Sequence, residues 1–206
     1  MENINLFLPE IFLALAILVT LMIGVFFKNS YNLVTKIVYG ILVALILIIL
    51  NSFNESFKLF SDSFISNSFT NFFKVLILIG TFFILIITQN FIKENKINNF
   101  EYPLILLLSV LGMFIMISAN DLILFYLGLE LQSLALYILA SLDRDNLKSN
   151  ESGLKYFILS ALASGLLLYG CSILYGFTGS TNFEVIGLKA NTDNLGAIFA
   201  MVFILV

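Results

Sequence analysis

The chain has 206 residues, of which 60% are hydrophobic and only 11% are charged, and its formal net charge is −3. Soluble domains are about half apolar and about a quarter charged, so this composition argues against a soluble fold. The sequence contains no histidine, no tryptophan and a single cysteine, Cys171, which argues against a zinc cluster, an internal disulfide and a Cys–His catalytic pair.

Long apolar stretches follow one another along the sequence. About 30 Å of hydrocarbon needs roughly 20 helical residues, and lipid offers no partner to unpaired backbone groups. We therefore predict an all-α integral membrane protein with about six complete transmembrane helices and a truncated seventh. The predicted spans are Leu6 to Phe27, Val34 to Leu50, Phe72 to Phe91, Pro103 to Ser118, Leu122 to Leu142, Glu151 to Phe177, and a seventh from about Leu195 to Val206.

The first span has a cleaved signal peptide as its alternative. A signal peptide has a basic start, a shorter apolar core and a cleavage site between small residues. This chain instead begins with Glu2 in place of basic residues and stays apolar until Lys28. We therefore expect the first span to remain in the membrane.

The basic residues divide unevenly between the two ends of the predicted spans. Seven fall at one end and three at the other, and the more basic end is expected to face the cytoplasm or the mitochondrial matrix. The seven are Lys28, Lys36, Lys93, Lys96, Arg144, Lys148 and Lys155, and the three are Lys58, Lys74 and Lys189.

Three connections between spans carry local signals. The turn from Ala119 to Asp121 is short, so the fourth and fifth spans should lie antiparallel side by side, with Asp121 at a helix start. The run from Gly176 to Thr181 lacks the lysine of a phosphate-binding loop and is interpreted as a helix-ending turn. In the polar stretch from Asn51 to Asn71, the phenylalanine spacing fits either a short interfacial helix or an ordinary surface loop. These phenylalanines are Phe53, Phe57, Phe60 and Phe64.

Glu130 is the residue that most strongly indicates chemistry. It stands eight residues into the fifth predicted span, about 12 Å deep at the helical rise. A carboxylate costs roughly 3 kcal/mol to insert there, and it normally marks an ion or proton path. Tyr126, Ser133 and Tyr137 share its helical face and form a polar stripe. The alternative is a protonated glutamate that only joins one helix to another.

Lys155 begins the sixth predicted span, one turn after Glu151. It is either a lysine near the loop that pairs with Glu151, or a partly buried lysine that passes charge towards Glu130 across the helix interface. Further along the same span, small residues are expected to bring the helix close to its neighbours. These are Ala161, Ser164 and Gly165.

Three motifs support a family resemblance: LGLELQSLALY at 127–137, ESGLKYF at 151–157 and LYGFTG at 174–179. Together they closely resemble subunit N of the NADH-quinone oxidoreductases, which in mitochondria is NADH dehydrogenase subunit 2. The resemblance is clearest over the fourth to sixth spans. The first three spans match mainly in hydropathy and order.

The resemblance implies an antiporter-like fold of about fourteen helices, built on two inverted five-helix units, of which this sequence holds the first part. Residues 1–102 would form three N-terminal helices, and residues 103–206 an incomplete first antiporter-like unit. Glu130 matches the family's fifth-helix glutamate, and Lys155 matches a lysine near the start of the sixth helix. The family's seventh-helix lysine has no counterpart, since residues 195–206 are uncharged.

The implied function is proton translocation coupled to quinone reduction, in a membrane-arm subunit of respiratory complex I. Glu130 and Lys155 would carry the protons. We expect no cofactor or redox centre on this chain, because quinone and NADH are handled by the whole complex. The partners would be other membrane-arm subunits and the lipid bilayer, with no nucleic acid, in a bacterial plasma membrane or mitochondrial inner membrane. Two alternatives stay open: a cation/proton antiporter or membrane-bound hydrogenase subunit of the same fold, and a purely structural membrane subunit.

Overall fold

The computed structural model describes residues 7–27, 30–54, 56–94, 99–189 and 195–205. Within these ranges six helices are long and apolar enough to cross a membrane, which confirms the predicted multi-pass helical fold. They are α1 (Leu8–Phe26), α2 (Ser30–Asn51), α3 (Ser68–Glu94), α4 (Glu101–Ser118), α5 (Leu122–Ala140) and α6 (Leu147–Thr178). Two shorter helices follow, α7 (Phe183–Lys189) and α8 (Leu195–Leu205), and α8 begins where the seventh span was predicted.

A small hairpin stands where the sequence suggested an interfacial helix or a loop. Strands β1 (Phe57–Leu59) and β2 (Phe64–Ser66) pair antiparallel, with Phe57 opposite Ser66 and Leu59 opposite Phe64. The interfacial helix is therefore wrong. Aromatic residues fit a pleated strand, and the serine and aspartate between the two strands favour a turn.

The larger hydrophobic core lies among α1, α2, α3 and α4. All four helices contribute side chains that are almost completely buried, so α4 packs on the N-terminal helices as well as on α5. The core includes Leu13 and Ile17 from α1, Val38, Leu42 and Leu45 from α2, Leu78 from α3, and Leu107, Val110 and Phe114 from α4. A second core joins the start of α5 to α6, α7 and α8 through Leu122, Cys171, Leu174, Ile186, Ala197 and Ala200.

The helices α4 and α5 meet backbone to backbone at two glycines. A Cβ atom on Gly112 would lie 2.6 Å from the backbone nitrogen of Gln132, and one on Gly128 would lie 2.7 Å from that of Met116. Only glycine fits at such distances. The predicted side-by-side packing of the fourth and fifth spans is thereby confirmed, and it fixes the stretch of α5 that carries Glu130 against α4.

The helix α6 begins at Leu147, four residues before the predicted start, because the Asn146 side chain accepts a hydrogen bond from the Lys148 N–H and caps it. Its 32 residues extend about 48 Å, so its ends project beyond the hydrocarbon. The expectation that Gly165 brings this helix close to a neighbour is wrong within the described ranges, since a Cβ there would meet nothing within 4 Å. The close approaches are at Gly153, against α5, and at Gly170, against α8.

Candidate functional site

Glu130 lies on α5, eight residues after the start of the helix at Leu122. Its side chain is partly buried. Its Oε1 atom is fully buried and has no hydrogen-bond partner in the part of the chain that the structure describes. A buried acceptor without a donor costs about 1–3 kcal/mol, so this oxygen favours a hydrogen-bond donor beside it. Both the transport and the helix-joining interpretations of Glu130 require this property.

The polar stripe around Glu130 is only partly involved in packing. Tyr137 is buried, and its ring meets those of Tyr156 and Phe157 on α6 at centroid distances of 4.8 and 5.7 Å. Tyr126 and Ser133 are half-buried on the face of α5 that carries Glu130. Tyr137 therefore holds α5 against α6, while Tyr126 and Ser133 keep polar groups near the carboxylate.

The structure does not bring Lys155 to Glu130. The Lys155 Nζ lies 2.6 Å from Glu151 Oε1, and these two side chains are 69% and 62% exposed. A Cβ on Gly153 would lie 2.6 Å from the Ser141 side chain, so this part of α6 is level with the far end of α5. Lys155 is then separated from Glu130 by about 13 Å along the helix axis.

An open groove lies one residue from Glu130, between α5, α6 and α8. It has a volume of about 210 Å³. Two of the residues around it are serines, whose hydroxyls can donate and accept hydrogen bonds, and the others are apolar, so the groove is only partly polar. The lining residues include Leu129, Ser160, Ser164, Leu167 and Ile204.

Sequence reasoning missed a second buried carboxylate, Glu10 on α1. Its Oε1 atom lies 2.6 Å from Lys74 Nζ on α3, and each side chain is 2% exposed. The orientation count placed Lys74 among the residues at the ends of the spans, whereas the structure buries it inside α3. The sequence does show opposite charges inside two predicted spans, but it does not show that these two helices are neighbours.

Asp121 caps α5, as predicted for a helix-start residue. Its Oδ1 atom accepts hydrogen bonds from the backbone N–H groups of Ile123 and Leu124, at 2.8 and 3.4 Å. Its other oxygen accepts a short hydrogen bond from the Thr181 hydroxyl. Gly179 ends α6 with a left-handed φ of 69°, which confirms the predicted helix-ending turn.

These two helix ends and the hairpin turn meet in what we name the clasp, formed by residues 60–63, 119–121 and 179–182. The Asp62 carbonyl accepts hydrogen bonds from the side-chain amides of Asn120 and Asn182, at 2.9 and 3.4 Å. The backbone N–H of Asn120 also donates to the Ser63 carbonyl at 2.8 Å. The clasp therefore ties the hairpin to both ends that flank α5 and α6.

Residues 119–206 match the family described as "NADH:quinone oxidoreductase/Mrp antiporter, TM". The NADH-quinone oxidoreductase subunit N of Pelagibacter ubique is 53% identical over 207 residues, which cover 100% of this chain and 44% of that protein. The subunit N of Rhodospirillum rubrum is 48% identical over 204 residues, or 96% of this chain and 42% of that protein.

The predicted resemblance to subunit N is confirmed. The chain spans less than half the length of these subunit N relatives.

Solved structures show the same architecture. A chain of respiratory complex I from Thermus thermophilus has a TM-score of 0.78 and 25% identity, over 96% of this chain and 42% of that chain. A chain of the Mrp complex from Dietzia has a TM-score of 0.74 over 96% of this chain and 39% of that chain, at 19% identity. The chain therefore has the antiporter-like membrane fold.

Proposed function

We propose that the chain works as a membrane-arm subunit of NADH-quinone oxidoreductase and takes part in proton translocation coupled to quinone reduction. One observation carries this proposal: a carboxylate with a buried, unpartnered oxygen stands midway along a membrane-spanning helix, in a chain about half identical to subunit N. Oxidation of NADH and reduction of quinone belong to the whole complex in this proposal. We propose no cofactor and no redox centre on this chain.

Glu130 acts in this proposal as the group that takes up and releases a proton. In this proposal its protonation changes when a basic partner moves closer or further away, since an opposite charge nearby favours the charged form of a carboxyl group. Moving one charge across 100 mV takes about 2.3 kcal/mol, and this energy comes from the redox reaction elsewhere in the complex. Tyr126 and Ser133 position the proton or water beside Glu130.

Lys155 acts at the aqueous end of the route. Its exposed pair with Glu151 at the projecting end of α6 allows it to exchange protons with water. The remaining distance to Glu130, about 13 Å along the helix, is longer than a hydrogen bond spans and requires intermediate water or side chains. Tyr137 lies on the face of α5 between these two levels.

The setting follows from the relatives. The subunit N relatives compared above are bacterial, so we propose the bacterial plasma membrane as the location and other membrane-arm subunits of complex I as the partners. The likeness to the Mrp complex and to an archaeal membrane-bound sulfane sulfur reductase is at 19% and 18% identity. It supports the fold alone and does not favour the antiporter or hydrogenase alternative.

The test is Glu130→Gln in the native membrane complex. This change keeps the shape of the side chain and removes its ability to become charged, so we expect normal assembly and proton pumping reduced severalfold in membrane vesicles. Glu101→Gln is the matched control, because Glu101 pairs with Arg144 at an exposed helix end. Normal assembly with unchanged pumping in Glu130→Gln would contradict the proposal and support the purely structural alternative.

A further inference from the structure

Glu10 and Lys74 form a charged pair that the proposed function does not use. Glu10 lies in the first turn of α1 and Lys74 in the second turn of α3. The Lys74 Nζ also stands 5.4 and 5.8 Å from the ring centroids of Phe64 and Phe114. The charged groups facing each other here are one carboxylate from α1 and one ammonium from α3. The hairpin and α4 present aromatic faces to them.

One oxygen of this pair remains unsatisfied. Glu10 Oε1 accepts from Lys74, whereas Oε2 is buried and has no hydrogen-bond partner among the described residues. Each ion of a buried pair loses several kcal/mol of hydration, which is recovered only when the remaining hydrogen-bonding positions are also filled. A proton on Oε2 removes the carboxylate charge and its desolvation cost, but it leaves the buried ammonium of Lys74 without an anion. The ammonium of Lys74 keeps the two aromatic faces, which attract cations.

We propose that Glu10 is a second proton-binding site of this chain, with Lys74 as its counter-ion and the hairpin as its cover. The ligand is a proton, which adds to the Oε2 atom of the carboxylate. In the closed state the site excludes water, because both charged side chains are 2% exposed and Phe64 of β2 covers Lys74. Proton exchange therefore requires the hairpin to lift.

The turn of the hairpin is strained, and the clasp holds it closed. Phe60, Ser61 and Asp62 all have left-handed backbone angles, with φ values of 53°, 56° and 67°. Residues other than glycine lose about 1 kcal/mol each in this conformation. The hydrogen bonds of the clasp to the Asp62 and Ser63 carbonyls hold the strained turn in place. Opening the cover must also lift Phe64, which is 1% exposed, so the released backbone strain offsets only part of the cost of exposing this ring.

This site is separate from Glu130. Phe114 contacts Lys74 on one side of α4, whereas Gly112, two residues and about 200° away around the helix, faces α5. The inference therefore stands or fails independently of the role proposed for Glu130.

The test is labelling with a hydrophobic carbodiimide, which reacts with protonated carboxyl groups, in membranes that contain the native complex. Mass spectrometry then follows the peptide that carries Glu10. The carbodiimide adds to the protonated carboxyl group of Glu10. Lys74 lies next to this activated group, so we expect its side chain, after losing a proton to give the neutral amine, to attack the carbonyl and form an amide, with the carbodiimide released as a urea. The sum of cross-link and adduct on Glu10 should increase as the pH falls, because activation needs the protonated carboxyl group.

Two variants sharpen the result. In Lys74→Met the counter-ion is lost, so we expect a stable carbodiimide adduct on Glu10 at neutral pH, with a yield severalfold above that of the wild type. Glu10→Gln should abolish every product at this position. Glu130→Gln should leave the yield at Glu10 unchanged, which separates this site from the proposed function. The proposal is overturned if the wild type gives neither cross-link nor adduct on Glu10 at any pH. That result needs no variant to fold.

Discussion

At the scale of single residues, two ion pairs of this chain share a contact distance and differ in environment. Lys74–Glu10 and Lys155–Glu151 both span 2.6 Å, but the first pair is 2% exposed and the second more than 60% exposed. Water screens an exposed pair, which contributes about 0–1 kcal/mol. Removing one member of a buried pair leaves an uncompensated charge and costs more.

We therefore expect Lys74→Met to lower the free energy of unfolding by roughly 3 kcal/mol and Lys155→Met by less than about 1 kcal/mol. Thermal unfolding of the purified protein in detergent would measure both. The double variant Glu10→Gln/Lys74→Met removes both buried charges and should recover much of the loss. Equal effects of the two single lysine variants would show that burial does not distinguish the pairs.

Asp121 gives a second prediction at this scale. Its carboxylate caps α5 and also accepts from Thr181. Asp121→Ala removes both interactions, so we expect a loss of about 1–2 kcal/mol of stability. Asp121→Asn keeps an oxygen for the cap and is the matched control, with a smaller loss in the same thermal measurement. If the alanine and asparagine variants unfold at the same temperature, the cap does not contribute as the structure indicates.

At the scale of helices and strands, length and hydropathy were sufficient to predict the six spans, because the bilayer imposes a minimum apolar length on every spanning helix. The ends were less predictable. The Asn146 cap starts α6 before its apolar stretch, and a cap depends on local hydrogen bonds that hydropathy does not include. The hairpin was missed because the phenylalanine spacing fits a helix, and strands of three residues are too short for a two-residue period to show in the sequence.

The crossing of α4 and α5 gives the prediction at this scale. A methyl group on Gly112 would collide with the backbone of α5 at 2.6 Å, whereas one on Gly80 would meet nothing within 4 Å. We expect Gly112→Ala to cost about 1–3 kcal/mol by forcing the helices apart. Gly80→Ala should be neutral or slightly stabilising, because alanine favours helix. Thermal unfolding of the two variants side by side measures the difference, and similar stabilities would show that the helices do not touch there.

At the scale of the whole molecule, Glu130 could be singled out because a carboxylate near the middle of one predicted span is visible in that span alone, and its role in proton transfer stays a prediction. Glu10 and Lys74 could not be recognised as a pair, since their contact joins residues 64 positions apart and depends on which helices are neighbours. The same limit applies to Lys155. Its exposed position follows from the length of α6 and from the level at which Gly153 meets α5. The spacing between Lys155 and Glu151 in the sequence predicts neither of these features.

The clasp is the feature that joins the N-terminal helices to α5 and α6 at one end of the molecule. Beside it, Lys58 of β1 pairs with Glu184 of α7 at 2.7 Å, and both side chains are substantially exposed. The hydrogen bond with Glu184 raises the pKa of Lys58 above its ordinary value of 10.5. Because the pKa of Lys58 is raised in the folded state, the contribution of this pair to folding stability is complete below pH 10.5. It is lost only as the pH rises through the pKa of the folded protein. The pair is therefore insensitive to pH across the neutral range.

The clasp and the ion pair between Lys58 and Glu184 predict different responses when each is removed by substitution. Asn120→Ala removes the amide that donates to the Asp62 carbonyl at 2.9 Å, and with it the contact that holds the strained turn. We expect hydrogen exchange of the peptide covering residues 57–66 to become several times faster, while α2 and α3 stay protected. Glu184→Gln is the control, and it should change this exchange little, because its pair is screened by water. If Glu184→Gln has the larger effect, the hairpin is held mainly by the ion pair between Lys58 and Glu184. Opening of the cover proposed for Glu10 would then depend on the contact with α7.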